Sequence, residues 1–272
     1  MRKIAILPTL LTLGNGVCGF AAIAYASKIG PQSSEADQNY YFVLSAGLIF
    51  VAMVFDALDG YAARLSKSAS DFGGQLDSLC DAISFGAAPA FLLLRLGQEW
   101  QKPLIRQSVA TIAGLYVVCA VLRLARFNLE NSPDPASHKR FKGLPSPAAA
   151  GCLASLAFLR SDLLSTRTGL DEPMVRAFVN FWAPMGTLVV ALLMVSRLPY
   201  PHLTKQLLRG RRSFRSVVQI VLVVFVITLA PDLALFLLFW GYALHAPLRY
   251  AVRGLRRDPG VDLGPTHSPS MD

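Results

Sequence analysis

The 272-residue chain is 53% hydrophobic and only 16% charged, with a mean hydropathy of +0.45, a balance that belongs to a bilayer protein and excludes a large soluble module. Its net charge of +9 is read as membrane topology and attraction to anionic head groups, because no soluble basic domain exists to bind nucleic acid. Cys18, Cys80, Cys119 and Cys152 all fall in apolar runs without metal-type pairing, which argues against a disulfide framework.

Apolar runs of about 20 residues, enough to cross a hydrocarbon core of roughly 30 Å, recur along almost the whole chain. The sequence predicts an all-α, polytopic transmembrane bundle of about eight spans: Ile6–Ser27, Tyr40–Ala63, Gly73–Leu96, Ser108–Phe127, Pro147–Leu164, Val175–Val195, Phe214–Leu229 and Asp232–Val252. Pro231 and Asp232 mark either a turn between the last two spans or a kink in one long segment, so counts of six and seven stay open. The first run continues past a normal cleavage distance and contains Pro8, Asn15 and Gly16, which reads as a retained span rather than a signal peptide. Residues 1–252 are expected to form one membrane domain, and 253–272, with Pro259, Gly260, Pro265 and Pro269, a disordered tail.

Lys and Arg concentrate in the loops on the side of Arg2 and Lys3, which places both termini in the cytoplasm of a multi-pass cell-membrane protein. Lys28, Arg95, Lys102, Arg106, Arg160, Arg167 and Arg176 fall on the opposite side, diluted by Glu35, Asp37, Asp171 and Glu172.

Four carboxylates interrupt two of the apolar helices. Each charged aspartate near a bilayer centre costs about 2.5–3.5 kcal/mol, so a compensating partner is required. Asp56 and Asp59 are three apart and Asp77 and Asp81 four apart, so each pair lies on one helical face. The second span descends, a short turn follows, and the third climbs back, which brings both pairs to similar depth. Converging carboxylate oxygens suit a hard divalent cation, Mg²⁺ or Mn²⁺, and two such ions can clamp a phosphoryl group. Gly60 and Gly73 share these faces and let a phosphate approach the backbone, and Arg64 offers a fork for its oxygens. A cation transporter with acids at mid-membrane is the rival reading from a different class.

The run Asp56-x2-Asp59-Gly60-x2-Ala63-Arg64-x8-Gly73-x3-Asp77-x3-Asp81 matches every fixed position of the CDP-alcohol phosphotransferase signature, and the chain resembles that family. Flanking segments are similar to its membrane-embedded, type II phosphatidylserine synthase branch. They are Leu7-Pro8-Thr9 with Thr12 and Asn15-Gly16; Leu76-Asp77-Ser78-Leu79 leading to Ser84-Phe85-Gly86-Ala87-Ala88-Pro89-Ala90; Leu122-Arg123-Leu124-Ala125-Arg126-Phe127-Asn128; Phe141-Lys142-Gly143-Leu144-Pro145-Ser146-Pro147-Ala148-Ala149; and Ser196-Arg197-Leu198-Pro199-Tyr200. The paired His-x-Lys-x4-Asp motifs of the phospholipase D-like class are absent.

The resemblance implies transfer of a phosphatidyl group from CDP-diacylglycerol to L-serine with release of CMP, in a homodimer. It makes Asp56, Asp59, Asp77 and Asp81 metal ligands. Asp81 would also be general base, a role in tension with ligation because a carboxylate holding a cation is a weaker base. It turns Gly60, Arg64, Ser70 and Gly73 toward the CDP-lipid, with Thr12 and Asn15 bordering the pocket. Arg123, Arg126, Asn128 and Lys142 are candidates for the serine carboxylate or the lipid phosphate, although the charge rule for loops accounts for cations there nearly as well. Glycerol 3-phosphate, inositol or choline as acceptor, and an archaeal-type lipid as donor, are the alternatives within the class.

Overall fold

The computed structural model describes residues 6–65, 71–96, 103–130, 143–164, 172–200 and 230–255. Among them every regular element is helical: α1 (Ile6–Ser27), α2 (Glu35–Leu65), α3 (Asp71–Asp81), a π-helical segment (Ala82–Ala87), α4 (Ala88–Leu96), α5 (Pro103–Glu130), α6 (Ser146–Leu163), α7 (Glu172–Val195) and α8 (Pro231–Leu255). Helix is what an apolar solvent permits, because each backbone N–H finds its acceptor within its own segment. Among the described residues, five stretches are long and apolar enough to cross a membrane: α1, α2, the continuous run Phe72–Leu96, α5 and Pro173–Val195. The expected span Phe214–Leu229 lies outside the described residues. Pro231 opens α8 rather than kinking it, and that helix runs to Leu255, past the expected boundary at 252.

α1 and α2 form an antiparallel pair. Their turn is fixed by Ser34, whose hydroxyl accepts from the Asp37 N–H at 3.1 Å and donates to the Asp37 carboxylate at 2.7 Å, an N-terminal cap. Glu35 and Asp37 then sit at the positive end of the α2 dipole. Ser45 crosses the pair to donate to the Ala22 carbonyl at 2.8 Å.

Large apolar side chains on α1, α2, α5 and α7, such as Phe20, Val54, Val121 and Phe181, point outward, as a lipid-facing surface requires. α6 does the opposite. Ala149, Ala150, Gly151, Cys152, Leu153 and Ala154 are successive and all buried, so α6 is enclosed on every side. Small residues let its neighbours close in: at Gly151 a Cβ would collide with the Phe239 ring of α8. The Trp240 indole donates to the Cys152 carbonyl at 3.0 Å.

Candidate active site

α1 carries Thr12, Asn15, Gly16 and Gly19 at helical spacing on one face, and that face lies against α3 and the π-helical segment. A Cβ on Gly16 would come within 2.9 Å of the Cys80 sulfur, and one on Gly19 would overlap Ser84, including its backbone. The absent side chains therefore set how closely α1 approaches. That approach puts the Asn15 amide 2.9 Å from Asp81 Oδ1, while the Ser84 hydroxyl donates to the Asn15 carbonyl at 2.9 Å. Thr12 caps its own turn, donating to the Pro8 carbonyl at 3.0 Å, and faces Asp59.

Across this face, carboxylate oxygens of Asp56, Asp59 and Asp77 lie within 4.8 Å of one another. Asp59 Oδ2 and Asp77 Oδ1 are buried and have no hydrogen-bond partner in the structure. Three acids at such separations repel, and two orphaned buried oxygens cost free energy unless a cation takes them up. The donor set is all carboxylate oxygen, which fits Mg²⁺ or Mn²⁺. Asp81 stands outside the triad, one helical turn beyond Asp77, buried and held by Asn15.

The backbone changes character directly after Asp81. The Ala88 N–H reaches back five residues to the Ile83 carbonyl, and Pro89 has no N–H to offer Phe85 four residues before it. The Tyr116 hydroxyl of α5 supplies the missing donor to the Phe85 carbonyl at 3.0 Å. A π-helical turn beside a functional residue re-aims the side chains on either side of it.

Segments far apart in sequence converge next to the acids. Arg123 of α5 faces Asp81, Asp56 and Tyr242, and donates to the Ser146 hydroxyl at 2.7 Å. The Gly143 N–H donates to the Leu198 carbonyl at 2.9 Å, and the Leu144 N–H to the Leu193 carbonyl at 3.0 Å. Gly143 has φ +93°, and a Cβ there would strike the Met194 carbonyl, so only glycine closes this loop. Tyr200 donates to the Ala243 carbonyl of α8 at 2.9 Å. Asn128 bonds Ser78 at 2.8 Å, which ties α5 to α3.

Of the residues expected from sequence, the structure gathers Asp56, Asp59, Asp77, Asp81, Thr12, Asn15 and Arg123. Gly60 borders the Arg64 guanidinium, 3.9 Å from where its Cβ would be, on an otherwise open helical face. Asn128 is joined to α3 rather than to the aspartates, and Ser70 and Lys142 lie outside the described residues. Sequence reasoning missed Tyr116, Ser146 as a partner of Arg123, and Tyr242; an isolated tyrosine on an apolar helix gives no signal of what it will face.

A Bacillus subtilis protein named CDP-diacylglycerol–serine O-phosphatidyltransferase is 32% identical over 210 residues, covering 77% of this chain and 97% of the relative. Proteins of the same name from Mycobacterium tuberculosis and Methanocaldococcus jannaschii are 29% identical over 258 residues (93% of this chain, 80% of the relative) and 30% identical over 202 (74% and 76%). The profile described as CDP-alcohol phosphatidyltransferase matches residues 5–193, most of the helical bundle and every aspartate of the site, and the chain belongs to that family.

Proposed function

We propose that this chain transfers the phosphatidyl group of CDP-diacylglycerol to the hydroxyl of L-serine, giving phosphatidylserine and CMP. The observation that carries the chemistry is the triad of Asp56, Asp59 and Asp77, three converging carboxylates with two orphaned buried oxygens on apolar helices. The choice of serine rests on the names of the relatives and on the flanking segments, which meet beside the acids through Arg123, Ser146, Gly143 and Leu198.

In this reading Asp56, Asp59 and Asp77 hold the divalent cations, with Asp81 able to join them. Bound Mg²⁺ or Mn²⁺ supplies charge neutralisation for the pyrophosphate and the developing charge on phosphorus. Because the triad is complete without it, Asp81 takes the proton of the serine hydroxyl as that oxygen bonds to the lipid-bearing phosphorus and the bond to CMP breaks. Asn15 holds the Asp81 carboxylate in one orientation during that transfer. Gly60, Ser70 and Gly73 face the nucleotide, and Arg64 its phosphates. Arg123, with Arg126, Asn128 and Lys142, holds the serine carboxylate or the lipid phosphate. The enzyme is a homodimer of the cytoplasmic membrane, with residues 1–252 forming its membrane domain and the site open to the cytoplasm.

The test is CMP release by purified protein from CDP-diacylglycerol, with Mn²⁺ or Mg²⁺, comparing serine, glycerol 3-phosphate, inositol, choline and no acceptor. Serine-dependent release that EDTA abolishes is expected. Release with another alcohol would keep the chemistry and discard serine; no release with any acceptor would remove the transferase reading for this chain.

A further inference from the structure

Ser146 opens α6 between Pro145 and Pro147 and is fully buried. No side chain caps this helix, and the Ser146 hydroxyl instead accepts the Arg123 guanidinium of α5 at 2.7 Å. The hydroxyl stands on a fixed support. The prolines on either side each lock one backbone angle beside it. Upstream, the Gly143 and Leu144 N–H groups are bonded to the Leu198 and Leu193 carbonyls at 2.9 and 3.0 Å, and the Ser196 hydroxyl donates to the same Leu193 carbonyl at 2.8 Å. The start of α6 is thereby tied to the end of α7.

Arg123 runs from α5 to this support and lies 5.6 Å from the centre of the Phe127 ring. Of the carboxylates, it faces Asp81 most strongly and Asp56 after it. An acceptor alcohol must bring its hydroxyl to Asp81, the proposed base. In serine the carboxylate is separated from that hydroxyl by only two carbons, so the cation that receives it must stand close to the base. Arg123 meets that condition. A guanidinium binds a carboxylate through two parallel N–H bonds in its own plane, so its orientation decides whether the pair forms. One N–H committed to an immobile hydroxyl sets that plane.

We infer that Ser146 is a positioning residue for the choice of acceptor: its hydroxyl fixes the plane of the Arg123 guanidinium, which receives the carboxylate of serine beside Asp81. This rests on the serine transfer proposed above and deepens it, committing Arg123 to the acceptor rather than to the lipid phosphate. Ser146 itself touches neither substrate.

The experiment is steady-state CMP release by the full chain in detergent with Mn²⁺ or Mg²⁺, varying serine and CDP-diacylglycerol in turn, with a thermal unfolding curve for each protein. Ser146→Ala and Ser146→Gly should both raise KM for serine at least tenfold, with KM for CDP-diacylglycerol within twofold and kcat within threefold of wild type. Alanine and glycine differ in helix propensity and hence in unfolding temperature, so an equal shift in the two follows the hydroxyl and not the stability. Ser146→Thr keeps the hydroxyl and should hold KM for serine within threefold. An unshifted serine KM in Ser146→Ala, measured against a serine-dependent wild type, would overturn this inference alone. A shift confined to CDP-diacylglycerol would also overturn it and give Arg123 to the lipid phosphate. Ser146→Thr as impaired as Ser146→Ala would overturn it as well, since the hydroxyl would not be the cause. Wild-type protein that releases no CMP with serine would remove the serine reading and this inference together.

Discussion

Replacing Asn15 by leucine separates a positioning role from a packing role at the proposed base. The Asn15 side chain is fully buried, and its amide donates to Asp81 Oδ1 at 2.9 Å, while its own Oδ1 is buried without a partner. Leucine of similar length removes the orphaned Asn15 oxygen and creates one on Asp81. The two changes are each about 1–3 kcal/mol and opposite in sign, so stability should move little. Activity should not be spared. A hydrogen bond to a charged group is worth about 1.5–3 kcal/mol, and if that orientation is used in the transition state its loss lowers kcat/KM by roughly 10- to 150-fold. The assay is CMP release at subsaturating serine, alongside a thermal unfolding curve in the same detergent. A variant that unfolds normally and retains kcat/KM within twofold of wild type would refute the proposed role and leave Asn15 as a helix-packing residue.

The other expectations divide the site and its supports. Asp81→Asn should reduce turnover by about 10²- to 10⁴-fold with the metal concentration at half-maximal rate unchanged, whereas Asp56→Asn should raise that concentration as well as lower the rate; a shared metal response in titrations of the two would collapse base and ligand into one role. Tyr116→Phe leaves the Phe85 carbonyl without its donor, a loss of about 1–3 kcal/mol seen as a lower unfolding temperature, and because the π-helical turn adjoins Asp81, turnover should fall too. Unchanged activity in a destabilised Tyr116→Phe protein would show that the turn does not aim the aspartate. Gly143→Ala meets both a positive φ and the Met194 carbonyl and should destabilise by at least about 1–3 kcal/mol, measured by thermal unfolding; a wild-type unfolding temperature would contradict that geometry.

Much of this was legible in the chain because the bilayer leaves few choices. Apolar runs must become helices, and the expected Ile6–Ser27 and Val175–Val195 agree with α1 and α7 to within a few residues. Aspartates three and four apart on such helices must share faces, so the convergence of Asp56, Asp59 and Asp77 was readable from spacing and hydropathy alone. Other features were not readable. Hydropathy does not distinguish a helix surrounded by lipid from one surrounded by protein, since both environments are apolar, and so α6 looked like any other span although it is enclosed.

The sequence by itself determined the helical bundle, the helical faces that the acids share and the residues able to ligate a cation, because those follow from period and transfer free energy within single segments. Only the tertiary structure decided that Asp81 stands apart from the triad under Asn15, and that Arg123 turns toward the acids through Ser146. Each depends on how closely and at what rotation two helices pack. That is set jointly by small residues such as Gly16 and Gly19 and by the partner surface they meet, which no single segment encodes.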